Sequence, residues 1–253
     1  MPRPGRTPRR RSRRRRRSRR RGWLRRHRGE ILLGLLFLAA AGLWIARSPP
    51  PPAEPEDLCA IYRERLSWYR DSRAVAQRWR LPESMMMAIL FQESSFRAGT
   101  RPPRRWHFGF IPGRRPSSAH GYAQAVDATW EQFESEIGRR ASRRRFADAA
   151  EFVGWYASEL TDLLRLGRGD AASLYLAYHE GPGGYSRGSH LGKPGVLRSA
   201  GRVSARAGRF ASQLEACRPA LDRRLLWRTL RRWMAAVGLA LVALILARQA
   251  LRR

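Results

Sequence analysis

A chain of 253 residues is long enough for one domain with a sizeable core and flanking tails. Its formal net charge of +31 points to polyanionic surroundings: nucleic acid, anionic lipid headgroups or an acidic wall polymer. Two cysteines without a CxxC pair, and five histidines without HExxH spacing, argue against a structural zinc or a zinc-hydrolase site, so no metal site is expected.

Residues 1–29 form an Arg-rich tail without apolar periodicity, which predicts no stable fold when free. The tail lacks a reader motif and aromatic interleaving, and it runs straight into an apolar segment. Topology signal and anionic-lipid contact therefore explain it better than nucleic-acid binding. Residues 30–46, with the uninterrupted apolar run 31–46, are read as a transmembrane anchor, a little short for the hydrocarbon core but extended by snorkelling arginines. A cleaved signal peptide is the alternative, since small residues offer cleavage sites. The positive-inside rule puts the tail in the cytoplasm and carries the middle of the chain across the membrane. Residues 47–58 are a stiff proline-rich linker.

Residues 59–217 carry helical patterns almost throughout. Ile61, Leu66, Tyr69, Val75 and Trp79 are loosely helical in spacing. Pro82 suits a first helical position, followed by SMMMAILFQE with Met85, Met86 and Ile89 as its apolar stripe. A third helix presents Val126, Thr129, Trp130, Phe133 and Ile137 and stops at Gly138. A fourth presents Phe152, Tyr156, Leu160, Leu163 and Leu164. Asp170 caps AASLYLAYHE, which stops at GPGG, and a last helix runs through Val196, Leu197, Val203, Phe210 and Leu214. Strand-like alternation is scarce outside WHFGFI. Cys59 and Cys217 bracket this domain; in an oxidising compartment they are expected to pair, the alternative being two unrelated buried thiols. Residues 218–253 are a basic segment whose run 233–247 is read as a second transmembrane helix; the alternative is that 223–250 is one amphipathic helix lying on the membrane.

Glu93 follows Ile89 by four residues, at the end of an apolar stripe. Partial desolvation there raises a carboxyl pKa, which is what a general acid near neutral pH needs. Downstream come Gly121-Tyr122-Ala123-Gln124, opening a helix, and Ala177-Tyr178-His179-Glu180-Gly181, ending one. This order resembles the lytic transglycosylase (SLT domain) family of the lysozyme-like superfamily, and more distantly goose-type lysozymes, over roughly residues 75–190. In that family a Glu-Ser pair carries the catalytic acid, and Gly-Leu-Met-Gln and Ala-Tyr-Asn-x-Gly segments line the glycan groove. Here Tyr122 and Ala123 replace Leu and Met, and His179 replaces Asn. The stretch between Glu93 and Gln124 is also longer than usual, and reads as a lobe over the groove.

The resemblance implies an all-α, lysozyme-like helical domain, held at the bacterial inner membrane on its periplasmic side, that binds peptidoglycan glycan strands and cuts them at the MurNAc–GlcNAc β-1,4 bond without water, metal or cofactor. Glu93 would act as acid and then base. Ser94 would support its carboxylate or cap the local backbone. Gly121, Tyr122, Gln124, Tyr178, His179 and Tyr185 would contact substrate. Gln124 would offer a donor and an acceptor, and Tyr178 would hydrogen-bond near Glu93. Tyr122 and Tyr185 would give flat surfaces for sugar rings, or else pack in the core. Glu180 is the candidate second carboxyl, which would turn the chemistry towards a hydrolase. A muramidase of the same fold and a non-catalytic glycan-binding scaffold remain open beside the transglycosylase.

Overall fold

In the computed structural model the chain divides into units of residues 1–47 and 48–253. The structure describes His27, Gly29, Glu30, residues 32–34, Leu36, Phe37 and residues 49–250, with the side chains of Arg232 and of residues beyond 239 excluded. Most of the 30–46 segment expected to anchor the chain lies outside the described residues. Among the described residues no helix is long and apolar enough to cross a membrane.

The second unit is predominantly helical. α1 (Leu58–Glu64) and α2 (Leu66–Trp79) are followed by α3 (Glu83–Ser94) and a small hairpin, β1 (Trp106–His107) with β2 (Ile111–Pro112). Then come α4 (Asp127–Ile137), α5 (Phe146–Leu164), α6 (Ala171–Ser186) and α7 (Pro194–Ala250). The hairpin pairs Trp106 with Pro112 and His107 with Ile111, antiparallel. It qualifies the all-α expectation at the one place where the sequence shows a strand-like pattern.

α3 is the axis of the domain. Met85, Met86, Met87, Ala88, Ile89 and Leu90 are all buried, so the expected apolar stripe is a whole cylinder. A helix apolar on every side needs neighbours on every side, and α2, α5 and α7 supply them. Its first turn is held by buried Glu83, ion-paired to Arg218 of α7 at 2.8 Å. On α5 the expected Phe152 and Leu160 are buried and Tyr156 and Leu164 pack half-buried against the core, whereas Leu163 is 68% exposed; Phe146, Ala149, Ala150, Val153, Trp155 and Ala157 are buried as well. The real face is thus wider than the expected one, which it includes except at Leu163. Small alanines let α5 approach its neighbours closely, and they carry too little hydrophobicity to dominate a sequence pattern. Gly154 serves the same approach: a Cβ there would meet Val75 at 2.5 Å.

The expected caps form. Asp170 accepts the Ser173 amide at 3.0 Å, and Gly138 ends α4 at φ 66°. α6 runs through to Ser186, yet breaks at Gly181 (φ 72°, ψ 166°), the residue before Pro182. Proline disfavours helical backbone in its predecessor. The expected last helix and the C-terminal apolar run are one helix, α7, continuing past Pro219. Leu226, Trp227, Leu230, Trp233, Met234, Val237 and Leu239 are exposed on it.

Cys59 and Cys217 form a disulfide, with Cα atoms 6.1 Å apart, that joins α1 to α7. The proline-rich linker is docked at its end: Glu56 pairs with Arg206 at 2.8 Å, and the Ala53 amide donates to Glu64 at 3.0 Å.

Candidate active site

Glu93 sits in the last turn of α3. The helix ends on two consecutive left-handed residues, Ser95 (φ 50°) and Phe96 (φ 57°). Such backbone costs a non-glycine residue about 1 kcal/mol or more. Burial of Phe96 between Trp68 and Phe91, at ring-centroid distances of 5.8 and 5.6 Å, offsets it. The sharp stop leaves the Glu93 carboxyl facing a groove of about 420 Å³. Gln124, Thr129, Tyr156, Tyr178 and His179 also line it.

The Glu93 Oε1 atom is closed to solvent and has no hydrogen-bond partner. Burial pushes its pKa from 4.5 up to about 7, and the Tyr175 hydroxyl opposes that rise by hydrogen-bonding to the carboxyl. An unpartnered buried carboxyl oxygen is costly, and is explained where a ligand supplies the missing partner. Such a carboxyl is protonated at neutral pH or just below, and can give its proton to an oxygen placed in the groove. Tyr175 is 4% exposed, and burial followed by the Glu93 charge pushes its phenol well above the ordinary range. It is therefore a neutral donor at any working pH. Replacing Tyr175 with Phe removes the contact that lowers the Glu93 pKa. The alkaline limb of the pH–rate profile is expected to move upward, with kcat falling more than KM changes; an unmoved limb would show that the two groups are not coupled.

Gly121 and Gln124 shape the groove wall through backbone geometry. The Gly121 amide donates to the Thr100 carbonyl at 3.0 Å, and the Tyr122 amide to the Arg143 carbonyl at 3.1 Å. At φ +83° a Cβ on Gly121 would lie 2.2 Å from the Arg143 oxygen, a backbone atom that cannot swing aside. Gly121→Ala is expected to lower stability by on the order of 3 kcal/mol, read as a lower urea midpoint. Gln124 is itself left-handed, at φ 49°. Its amide nitrogen donates to the Thr100 and Gly121 carbonyls, at 3.0 and 2.8 Å. Both donors are consumed, so Gln124 offers a ligand an acceptor only, and the expected dual role narrows.

Other expected residues divide. Ser94 Oγ donates to the Leu90 carbonyl at 3.1 Å, so it serves the helix end and not the carboxylate. The Tyr178 hydroxyl donates to the Ala123 carbonyl at 2.7 Å, clamping α6 to the Gly121–Gln124 turn. The direct hydroxyl to Glu93 comes from Tyr175, one helical turn earlier. That position was missed, although i and i−3 share a helix face. Tyr122 is 1% exposed, edge-on to Trp68 and Phe146, and offers no surface to a sugar because the turn directs it into the core. Tyr185 stacks on His190 at 5.0 Å, outside the residues lining the groove. His179 is exposed at the groove edge. Glu180 also lines the groove, but Lys193 pairs with it at 2.7 Å and Ser189 donates to it; these contacts, Lys193 foremost, lower its pKa. It is a carboxylate already committed to closing the turn after α6.

Arg143, also missed, is 8% exposed, pairs with Asp127 at 2.7 Å and lies over Trp130. It fixes the turn to the start of α4. Among the described residues no group of three His, Cys, Asp or Glu side chains is placed to hold a metal ion.

A family model described as the transglycosylase SLT domain matches residues 34–217. No curated protein matches the chain. The matched span contains α1 to α6, the disulfide and the whole groove with its buried glutamate. The chain therefore belongs to the transglycosylase SLT domain family.

Proposed function

We propose that this protein is a peptidoglycan lytic transglycosylase, anchored in the bacterial inner membrane with residues 59–217 in the periplasm. The carrying observation is a single carboxyl, Glu93, that faces the groove with a buried unpartnered oxygen and a pKa near 7. The other carboxyl lining the groove, Glu180, is held by Lys193 and Ser189. Most glycosidases divide the work between two carboxyls; this site favours one doing both steps.

In the proposed reaction the protonated Glu93 gives its proton to the glycosidic oxygen as the C1–O4 bond of the MurNAc–GlcNAc link breaks. The neighbouring N-acetyl group of the substrate stabilises the positive charge developing at C1. The Glu93 carboxylate then takes the proton of the C6 hydroxyl, whose oxygen bonds to C1. A 1,6-anhydroMurNAc end forms, Glu93 regains its proton, and water is not consumed. Gln124 accepts a hydrogen bond from the bound sugar, and Tyr175 steadies the carboxylate between the two steps.

The test is digestion of purified sacculi by the full chain, with mass spectrometry of the released muropeptides. Anhydro ends are expected. Products one water heavier would replace the lyase by a muramidase, and binding without release would replace the enzyme by a scaffold. The anchor is supported by the apolar run 31–46 and its basic flank. A reporter fused at the N-terminus that becomes accessible from the periplasm would overturn that orientation.

A further inference from the structure

The segment joining α3 to α4 holds a second collection of exposed groups. Between Glu93 and Asp127 there is no Asp or Glu, and there are six arginines: Arg97, Arg101, Arg104, Arg105, Arg114 and Arg115. None has a carboxylate partner among the described residues. Arg104 and Arg115 donate only to carbonyls of the hairpin stem, those of Gly113 and Pro102. Elsewhere in the domain exposed arginines commonly pair, as Arg70, Arg78 and Arg139 do.

Four large apolar side chains stand at the tip: Trp106 is 59% exposed, Phe108 88%, Phe110 73% and Ile111 46%. The turn has φ 52° at Phe108 and 79° at Gly109. Such turns favour Asn or Gly at the first position, so an aromatic residue there works against the local backbone. The hairpin is also not remote from the groove. Pro102, before it, and Ser117 and Ala119, after it, line the groove that holds Glu93. Whatever lies along the groove passes the foot of the hairpin.

We propose that the hairpin is a second substrate-binding arm: its arginines take the carboxylates of the peptide arms on a glycan strand, and its aromatic tip lies against sugar faces beyond the cut site. The protein then selects peptide-bearing strands over bare glycan. This rests on the reading of the groove as a peptidoglycan site. Guanidinium forks match carboxylates in geometry as well as charge, and the absence of internal acids leaves these forks free for a ligand. Continuity with the groove favours a strand over a lipid surface as the occupant.

The test compares intact sacculi with glycan strands stripped of their peptides, using the full chain. Three forms are set beside it: Arg104→Ala/Arg105→Ala/Arg114→Ala, Phe108→Asn, and a charge control, Arg223→Ala/Arg228→Ala/Arg231→Ala. Turnover gives KM and kcat, and co-sedimentation gives binding without turnover. The arginine variant is expected to raise KM on peptide-bearing strands about tenfold, the size of one or two lost charge-assisted contacts, with kcat retained. On stripped strands it should match the unmodified chain. Phe108→Asn keeps the turn and is expected to weaken both substrates. The charge control should change neither.

Equal losses on both substrates for the arginine variant, or none on either, overturn the proposal. So does a loss confined to phosphatidylglycerol vesicles, which would make the hairpin a lipid contact. A binding difference without any turnover keeps the arm and removes the enzyme reading; turnover with unchanged binding and KM in the variants does the reverse.

Discussion

Glu93→Gln is expected to lower glycan cleavage by at least about 10³-fold while making the protein more stable above pH 7. Both effects have the same origin. The folded carboxyl keeps its proton up to about pH 7, whereas the unfolded one loses it near 4.5. Between those values the folded state binds more protons, so stability falls as pH rises and levels off above about 7. The gap corresponds to on the order of 3 kcal/mol. Glutamine is isosteric and cannot ionise. At pH 8 the variant should therefore exceed the unmodified protein by about that amount, and at pH 4 the two should coincide, which urea titrations at both values would show. The difference between the curves cancels every other titrating group. For activity the sign is opposite to that of an ordinary glutamate: kcat/KM holds at acid pH and falls about tenfold per unit above about pH 7, as the proton that must be donated is lost. A variant that cleaves normally would remove Glu93 from the reaction. One that is inactive but no more stable would mean that its burial is relieved in solution.

The sequence made the two outer limits of the site legible, and structure was needed for its interior. Glu93 and Gln124 could be found because each sits at an element boundary, where the residue type is set by local geometry. Gly121 stands out for a similar reason, a positive φ that the Arg143 carbonyl forbids to any side chain. Tyr175 and Tyr178 could not be told apart, since both lie on one face of α6, and the Ala123 carbonyl decides which hydroxyl is taken. The burial of Tyr122 depends on Trp68 and Phe146, distant in sequence. Helix existence was readable in most places, and so were residues such as Phe133, Phe152 and Phe210 on the buried faces; the full width of those faces was not. α3 looked amphipathic because Gln92 and Glu93 end it, yet it is surrounded; on α5 the expected Phe152 and Leu160 are buried, yet the face extends further, over Ala149, Ala150, Val153 and Ala157. Those are properties of the neighbours. The break between α1 and α2 at Arg65 carries no proline or glycine to announce it.

Loss of the Cys59–Cys217 disulfide is expected to have the largest effect on stability. The bridge spans 158 residues, and a loop of that length corresponds to about 5 kcal/mol of denatured-state entropy. Native contacts at the same seam persist without it. The Leu58 amide donates to Gln213 at 2.8 Å, the Gln213 side chain to the Glu56 carbonyl at 3.1 Å, and Arg206 pairs with Glu56. These hold α1 to α7 in the folded state but do nothing to restrict the unfolded chain, so the entropic contribution is not duplicated. Cys59→Ala/Cys217→Ala should therefore unfold at a markedly lower urea concentration, by about 2–5 kcal/mol, and reductant should move the unmodified protein by the same amount and leave the variant unmoved. The effect reaches the site, because α7 packs along α3, the helix that ends in Glu93, and along α6, which carries Tyr175. Cleavage by the reduced protein should fail at a lower temperature than cleavage by the oxidised one. A fold that needs this staple needs an oxidising compartment, which bears on the proposed periplasmic placement. If the alanine pair loses less than about 1 kcal/mol, the seam is held by packing alone and the disulfide carries no information about where the domain works.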